Sequence, residues 1–314
     1  MRIRTFEPGD EAIQAAIYNV AAANLPKFKP ATTEEVRRRA KARDFDPTAH
    51  FFVERSGEAV GYAGFQPNGR VSYPWCLPGH EECAEPLFQA VLQTMQARRQ
   101  RRAFAAYRGD WAPVLAFFEA HGFRKAREMV NFVVNLADTP TPAARARVAV
   151  SPLSRDDLPA VLALGAGGLR VDDVEALERH LFRNPYFGPE ALFALRDRGR
   201  GEVVAVGLLI DNPTYADPQA LDPFMPCFRL GAFGTEGMSV KRVHGLFSFL
   251  ARPHGDLGAY GVDLLSHAVA RLEESDAHAL AAQVGTDLPH LLRFYQAHFR
   301  RQGSFPVYER PLEP

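Results

Sequence analysis

The chain has 314 residues, of which 46% are hydrophobic and 24% charged, which suits two packed domains and excludes a disordered or fibrous class. Lys+Arg and Asp+Glu each total 37, so no net charge draws the chain to nucleic acid or to an anionic membrane. Three cysteines (Cys76, Cys83 and Cys227) do not make a disulfide framework at this length, and a reducing, cytoplasmic setting is expected. In chain order, the opening MRIRTFEPGDEAIQ is charged, lacks the apolar core of a leader, and reads as a strand followed by a helix. HFFVERSGEAVGYAGFQPNGRVSYPWCL then reads as a run of strands with hairpin turns at Ser56-Gly57 and Asn68-Gly69. SYPWCLPGHEECAEPLFQAVLQTMQARRQ is an apolar strand, Pro78, and a turn that opens a long helix. AFAAYRGDWAPVLAFFEAH is a short strand, a Gly turn, an Asp cap, Pro in the first helical turn and an amphipathic helix. The stretch from Ala137 to Arg147, ADTPTPAARAR, has no apolar periodicity and reads as a linker.

After the linker the same series recurs. VSPLSRDDLPAVLAL echoes IRTFEPGDEAIQAAI, with Asp156 set against Asp10. FSFLARPHGDLGAYGVDLLSHAVARLEES repeats the strand, the Pro (Pro253), the turn and the long helix. ALAAQVGTDLPHLLRFYQAH repeats the next strand, turn and helix, with Tyr295 where the first copy carries Phe118. Agreement across strand, turn and helix marks a tandem duplication, with copies at 1–137 and 148–314 and a linker at 138–147. The second copy is longer ahead of Pro253, which assigns an insertion to Asp211–Gly237. Its Tyr215, Phe224, Met225 and Phe228 among prolines suit a lid or pocket wall, and equally an ordered loop packed on the sheet. The expected class is α/β (α+β), with a largely antiparallel sheet that turns parallel near its middle.

On the strand–Pro–turn–helix segments and the closing FFEAHGFRKAREMVNFVV, both halves resemble the GNAT family of acyltransferases, over essentially the whole chain. The resemblance implies two tandem GNAT-like domains, each a mixed, mostly antiparallel sheet with splayed central strands flanked by helices. It implies N-acetyl transfer with acetyl-CoA as cosubstrate and no metal, to a small-molecule or peptide amine, by a monomer or homodimer. The family cradles the CoA pyrophosphate on backbone N–H groups at a helix start, where small residues allow close approach. That motif falls on Asp256, Leu257, Gly258, Ala259, Tyr260 and Gly261, just after the strand end Phe249, Leu250 and Ala251. Two positions depart from it: Asp256 stands where the family prefers Gln or Arg, and Leu288 where it has an Asn. The first copy has no glycine past Gly79 and sets Glu81, Glu82 and Glu85 at the anion-binding end, so no CoA is expected there.

Tyr295 matches the family's acid, which protonates the departing thiolate, whereas Phe118 can only pack. Outside the resemblance, Tyr295 reads as a core aromatic whose hydroxyl finds water or a carbonyl. The acyl carbonyl is expected to be polarised by a backbone N–H on a bulged strand near Phe249–Leu250. Glu236 is the candidate base, with His244 and Asp211 as alternatives; each is equally a solvated loop or strand-end residue. The competing class is a catalytically silent pseudo-acetyltransferase that binds a small ligand or a protein partner. Ten histidines match no zinc spacing, and VRRRAKAR and ARRQRR read as solvated helix faces rather than a nucleic-acid surface.

Overall fold

The computed structural model describes the chain except for residues 42–44, 143–146, 166–170, 172, 184–186, 212–242, 253–255, 274, 276 and 313–314, and the side chains of 243 and 244. Its residues fall into two compact units, Met1–Glu128 with Phe305–Pro314, and Met129–Ser304. Among the described residues no helix is long and apolar enough to cross a membrane.

In the first unit, strands β1 (Arg2–Thr5), β2 (His50–Arg55), β3 (Glu58–Gly64) and β4 (Trp75–Cys76) form an antiparallel sheet in that order. Ser56 and Gly57 both have positive φ (51° and 87°), the twist that lets a two-residue turn join β2 to β3. Helices α1 (Asp10–Ala21), α2 (Thr33–Ala40) and α3 (Ala84–Ala97) accompany this sheet. A reciprocal cap starts α2: Thr32 accepts from the Glu35 N–H and Glu35 accepts from the Thr32 N–H. Strand β5 (Arg102–Ala106) is followed by α4 (Ala112–Ala120) and β6 (Arg124–Asn135). β5 pairs antiparallel with the last strand of the chain, β12 (Arg300–Pro311), whose Tyr308 joins the aromatic core of this unit together with Leu312.

The second unit contains β7 (Val148–Pro152), α5 (Leu158–Gly165), α6 (Val174–Phe182), β8 (Leu192–Asp197), β9 (Val203–Asp211) and β10 (Val243–Ala251). It continues with α7 (Leu257–Leu272), β11 (Ala279–Gly285) and α8 (Pro289–His298). Its strands run in the order β7, β8, β9, β10, β11, β6, antiparallel throughout except for the parallel pair β10–β11. Alternation along β8 splits the core in two: Phe193 and Leu195 pack with α7 and α8, while Leu192 and Ala194 pack with α5 and α6. The mixed, mostly antiparallel sheet expected from the sequence is therefore present, with helices on both faces.

The structure sharpens the repeat at its starting motif. Asp10 is buried, accepts the Glu7 N–H and pairs with Arg4 through both carboxylate oxygens. Asp157, not Asp156, holds the same post: it accepts the Ser154 N–H and pairs with Arg196 at 2.6 Å. Sequence and packing also divide the chain at different places. The repeat closes with β6, yet Met129–Asn135 pair with β11 in the second unit, and Phe305–Pro314 serve the first.

Candidate active site

β10 and β11 run side by side only as far as the pair Phe247–Ala282. Beyond it, Ser248–Ala251 pair with β9, and Gln283–Gly285 pair with β6. The two central strands thus part company, leaving β10 backbone groups free of β11 at the point where the sheet opens. This is the splay expected from the resemblance. The expected bulge at Phe249–Leu250 is not there: the β9–β10 ladder is continuous from Gly245 to Ala251, and the irregularity lies at Val243/Gly245.

Tyr295 enters this opening from α8. Its ring is 1% exposed and ringed by Phe132, Phe247, Phe249, Phe294 and Phe299, at centroid distances of 5.1 to 6.5 Å. No described group completes a hydrogen bond with the buried hydroxyl. Burial raises its pKa well above the ordinary tyrosine value; the Ser248 side chain and the Phe249 backbone N–H, beside the oxygen, oppose that rise. The phenol stays protonated at neutral pH. Phe249 and Ala251 are buried and Leu250 half-buried at the end of β10.

The start of α7 lies past the end of β10. Asp256 occupies the cap position and its carbonyl accepts the Tyr260 N–H, but its carboxylate caps no N–H, and the first turn holds no acidic residue. Helix geometry leaves the N–H groups of Leu257, Gly258 and Ala259 without intrahelical acceptors. Gly258 is exposed, with nothing among the described residues within 4 Å of where a Cβ would stand, so a phosphate can come close to the backbone there. Gly261 does different work. A Cβ on it would lie 2.5 Å from the Phe294 ring and 2.8 Å from that of Phe249, so its bareness lets α7 pack on α8 and β10. Tyr260 and Ala259 are half-buried and Leu257 is buried.

The matching places in the first unit are filled. Val71 donates to the Phe104 carbonyl, after which β4 and β5 diverge without a ladder, as their counterparts do. Aromatic rings occupy that opening: the Tyr107 hydroxyl accepts the Tyr73 N–H at 2.6 Å, and Phe118 stacks on Tyr107 at 5.6 Å. At the helix start, the Glu81 carboxylate takes the Gly79 N–H, Glu82 pairs with Arg55 at 2.7 Å, and Glu85 bonds His121 at 2.6 Å. Backbone N–H groups and Arg55 hold Glu81 and Glu82 below the usual carboxylate range. The anion at this helix end is the protein's own. Trp111, the counterpart of Leu288, spends its indole N–H on the Pro26 carbonyl.

Of the three base candidates, only Asp211 has a described side chain. Glu236 lies outside the described residues, as does the side chain of His244, and Asp211 is an exposed residue at the end of β9. The inserted segment Asp211–Gly237 lies, apart from Asp211, outside the described residues too. Sequence reasoning passed over three polar residues near the splay: Ser248, Gln283 and Asn131. Their signal was present as single polar positions in apolar strands, in FSFLA, ALAAQVG and VNFVV. Among the described residues no group of three or more His, Cys, Asp or Glu is placed to hold a metal ion.

No family model matches the chain. A mycothiol acetyltransferase of Acidothermus cellulolyticus is 29% identical over 146 residues, covering 40% of this chain and 45% of that protein. The chain spans less than half the length of the curated relatives it matches. Among solved structures, a GCN5-related N-acetyltransferase from Sphaerobacter thermophilus matches 100% of this chain and 96% of its own, at 17% identity and a TM-score of 0.63. A tandem GNAT protein from the clavulanic acid biosynthesis pathway covers 100% and 99%, at 13% identity and a TM-score of 0.54. At these identities the likeness is one of fold.

Proposed function

For this chain, which has the tandem GNAT fold, we propose an N-acetyltransferase that moves an acetyl group from acetyl-CoA to an amine, with its working site in the second copy, 148–314. The observation that carries the proposal is the meeting of the orphaned Tyr295 hydroxyl and the Phe249 N–H in the opening between β10 and β11. The residues present suit the cosubstrate: Leu257, Gly258 and Ala259 offer N–H groups to a pyrophosphate, and the splay admits an extended arm between strands. Acetyl-CoA, when bound, supplies the activated acyl group. The Phe249 N–H is placed to polarise a carbonyl in the splay. Tyr295 gives its proton to the sulfur as the carbon–sulfur bond breaks, so the leaving group departs as a thiol. The amine loses a proton in forming its bond to carbon, and Glu236 remains the proposed base. The first copy, 1–137, keeps the scaffold without the site.

Titration calorimetry with acetyl-CoA tests this directly. One site per chain is expected, lost in Gly258→Glu, whose carboxylate suits the helix end but repels phosphate. Two sites, or binding untouched by Gly258→Glu, would remove the assignment. Asp256 favours a second reading, a silent ligand-binding protein, because its negative charge stands where a pyrophosphate would lie. A wild type that binds no acetyl-CoA, beside an Asp256→Gln variant that does, establishes that reading.

A further inference from the structure

Opposite the face covered by α7 and α8, one rung of the second unit's sheet is polar. Phe247 and Phe249 on β10 pack towards those helices, so strand alternation turns Ser248 to the other face. Leu280, Ala282 and Val284 on β11, and Val130, Phe132 and Val134 on β6, also face the helices, which turns Gln283 and Asn131 to the side of Ser248. Register sets the three on one level. Gln283 is directly paired with Asn131, and Ser248 follows the last β10–β11 pair, Phe247–Ala282, so Ser248 and Gln283 stand across the mouth of the splay. The Gln283 Nε2 donates to Asn131 Oδ1 at 2.6 Å, and Asn131 is only 2% exposed. Burying an amide in an apolar sheet costs desolvation, and an aliphatic pair would meet the packing need alone. The bond turns the Gln283 amide nitrogen towards β6 and its Oε1 away from Asn131.

Resting on the acetyl-transfer reading, we propose that this rung holds the acceptor amine. Gln283 Oε1 accepts an N–H of the attacking nitrogen, and Ser248 closes the rung beside the Tyr295 hydroxyl. Asn131 is a positioning residue that fixes the Gln283 amide. All three groups are uncharged, so the acceptor class is a primary amine carrying neutral polar neighbours, not one recognised through a carboxylate or a second cation. A nitrogen held at Gln283 stands across the splay from the Phe249 N–H and the Tyr295 hydroxyl.

The test is steady-state transfer from acetyl-CoA to hydroxylamine, a small primary amine largely unprotonated at neutral pH, with acetyl-CoA affinity measured alongside. Gln283→Met, which keeps the volume and loses the oxygen, is expected to lower kcat/KM for hydroxylamine about tenfold while leaving the acetyl-CoA affinity unchanged. Asn131→Leu raises the hydroxylamine KM, and it serves in place of Gln283→Met should that variant fail to fold. Absence of acetyl-CoA binding to the wild type removes the proposed function itself. Acetyl-CoA binding accompanied by no transfer, or by transfer that Gln283→Met leaves intact, overturns the rung and leaves the acetyl-CoA site standing.

Discussion

Tyr295 is a costly residue kept in a place where Phe would pack as well. Its hydroxyl is buried without a hydrogen bond among the described residues, and the other repeat shows the cheaper solution in Phe118. Tyr295→Phe is therefore expected to raise stability by about 1 kcal/mol, since the unpaired oxygen leaves the core. It is also expected to lower kcat by about a hundredfold, with acetyl-CoA affinity unchanged. Thermal unfolding and steady-state kinetics on one preparation check both halves; a fall in both stability and affinity would mean that the hydroxyl is structural. His50 offers a second residue-scale prediction, in the first unit. Burial lowers its pKa from 6.5 to about 4, opposed by the charge of Asp46 and aided by that of Arg39, and the ring stacks on Phe45 at 4.7 Å. Between those values the unfolded chain binds a proton that the folded chain refuses, so stability falls as pH drops from 6.5 towards 4. For a half-buried ring the loss between pH 7 and pH 5 is about 1 to 2 kcal/mol. Urea unfolding at the two pH values measures it, and His50→Phe is expected to flatten the difference.

At the scale of elements, Gly258 and Gly261 look alike in the sequence and part in the structure. One leaves a helix end open and the other lets two helices touch. Gly261→Val forces Phe294 and Phe249 aside and is expected to cost about 1 to 3 kcal/mol, visible as an earlier urea midpoint at unchanged slope. Gly258→Ala, by contrast, meets empty space and leaves that midpoint where it was. The strand–turn–helix units and the Phe/Tyr exchange were legible because capping residues, Pro in the first turn and apolar spacing are local signals. The splay was expected from the resemblance alone, because it depends on where two distant strands stop pairing, which neither strand records. The bulge foreseen at Phe249–Leu250 failed for the same reason. Partner choice is equally silent: nothing in RKAREMVNFVVN says that its second half will pair with β11. The rung of Ser248, Gln283 and Asn131 was visible letter by letter but had no meaning until register placed the three on one level.

At the scale of the whole molecule, the two copies differ at matching places: an opening and a bare helix start in the second, aromatic rings and carboxylates in the first. The first copy answers its own helix dipole with Glu81 and fills its opening with Tyr73, Tyr107 and Phe118. Its independence is limited in another way, because Tyr308 and Leu312, from the far end of the sequence, belong to its core. Tyr308 bonds Glu119 at 2.8 Å, Arg310 donates to the His121 carbonyl at 2.9 Å, and Leu312 donates to the Arg101 carbonyl at 2.9 Å. Deleting residues 305–314 is therefore expected to unmask the first unit, with limited proteolysis cutting within residues 1–128 before it cuts within 148–304. The reverse order of cleavage would contradict that allocation.

The same ten residues carry a consequence for synthesis. A chain made from its N-terminus ordinarily folds its first domain while the rest is still being added. Here the first 128 residues lack the strand that pairs with β5 until residues 307–311 have been added. The opening half must wait, with Ala103, Ala105 and Tyr107 short of their cover, for about 180 further residues, roughly ten to forty seconds at ordinary rates of elongation. The first copy cannot then be expressed alone without being left unfinished, and its completion is bound to the synthesis of the second.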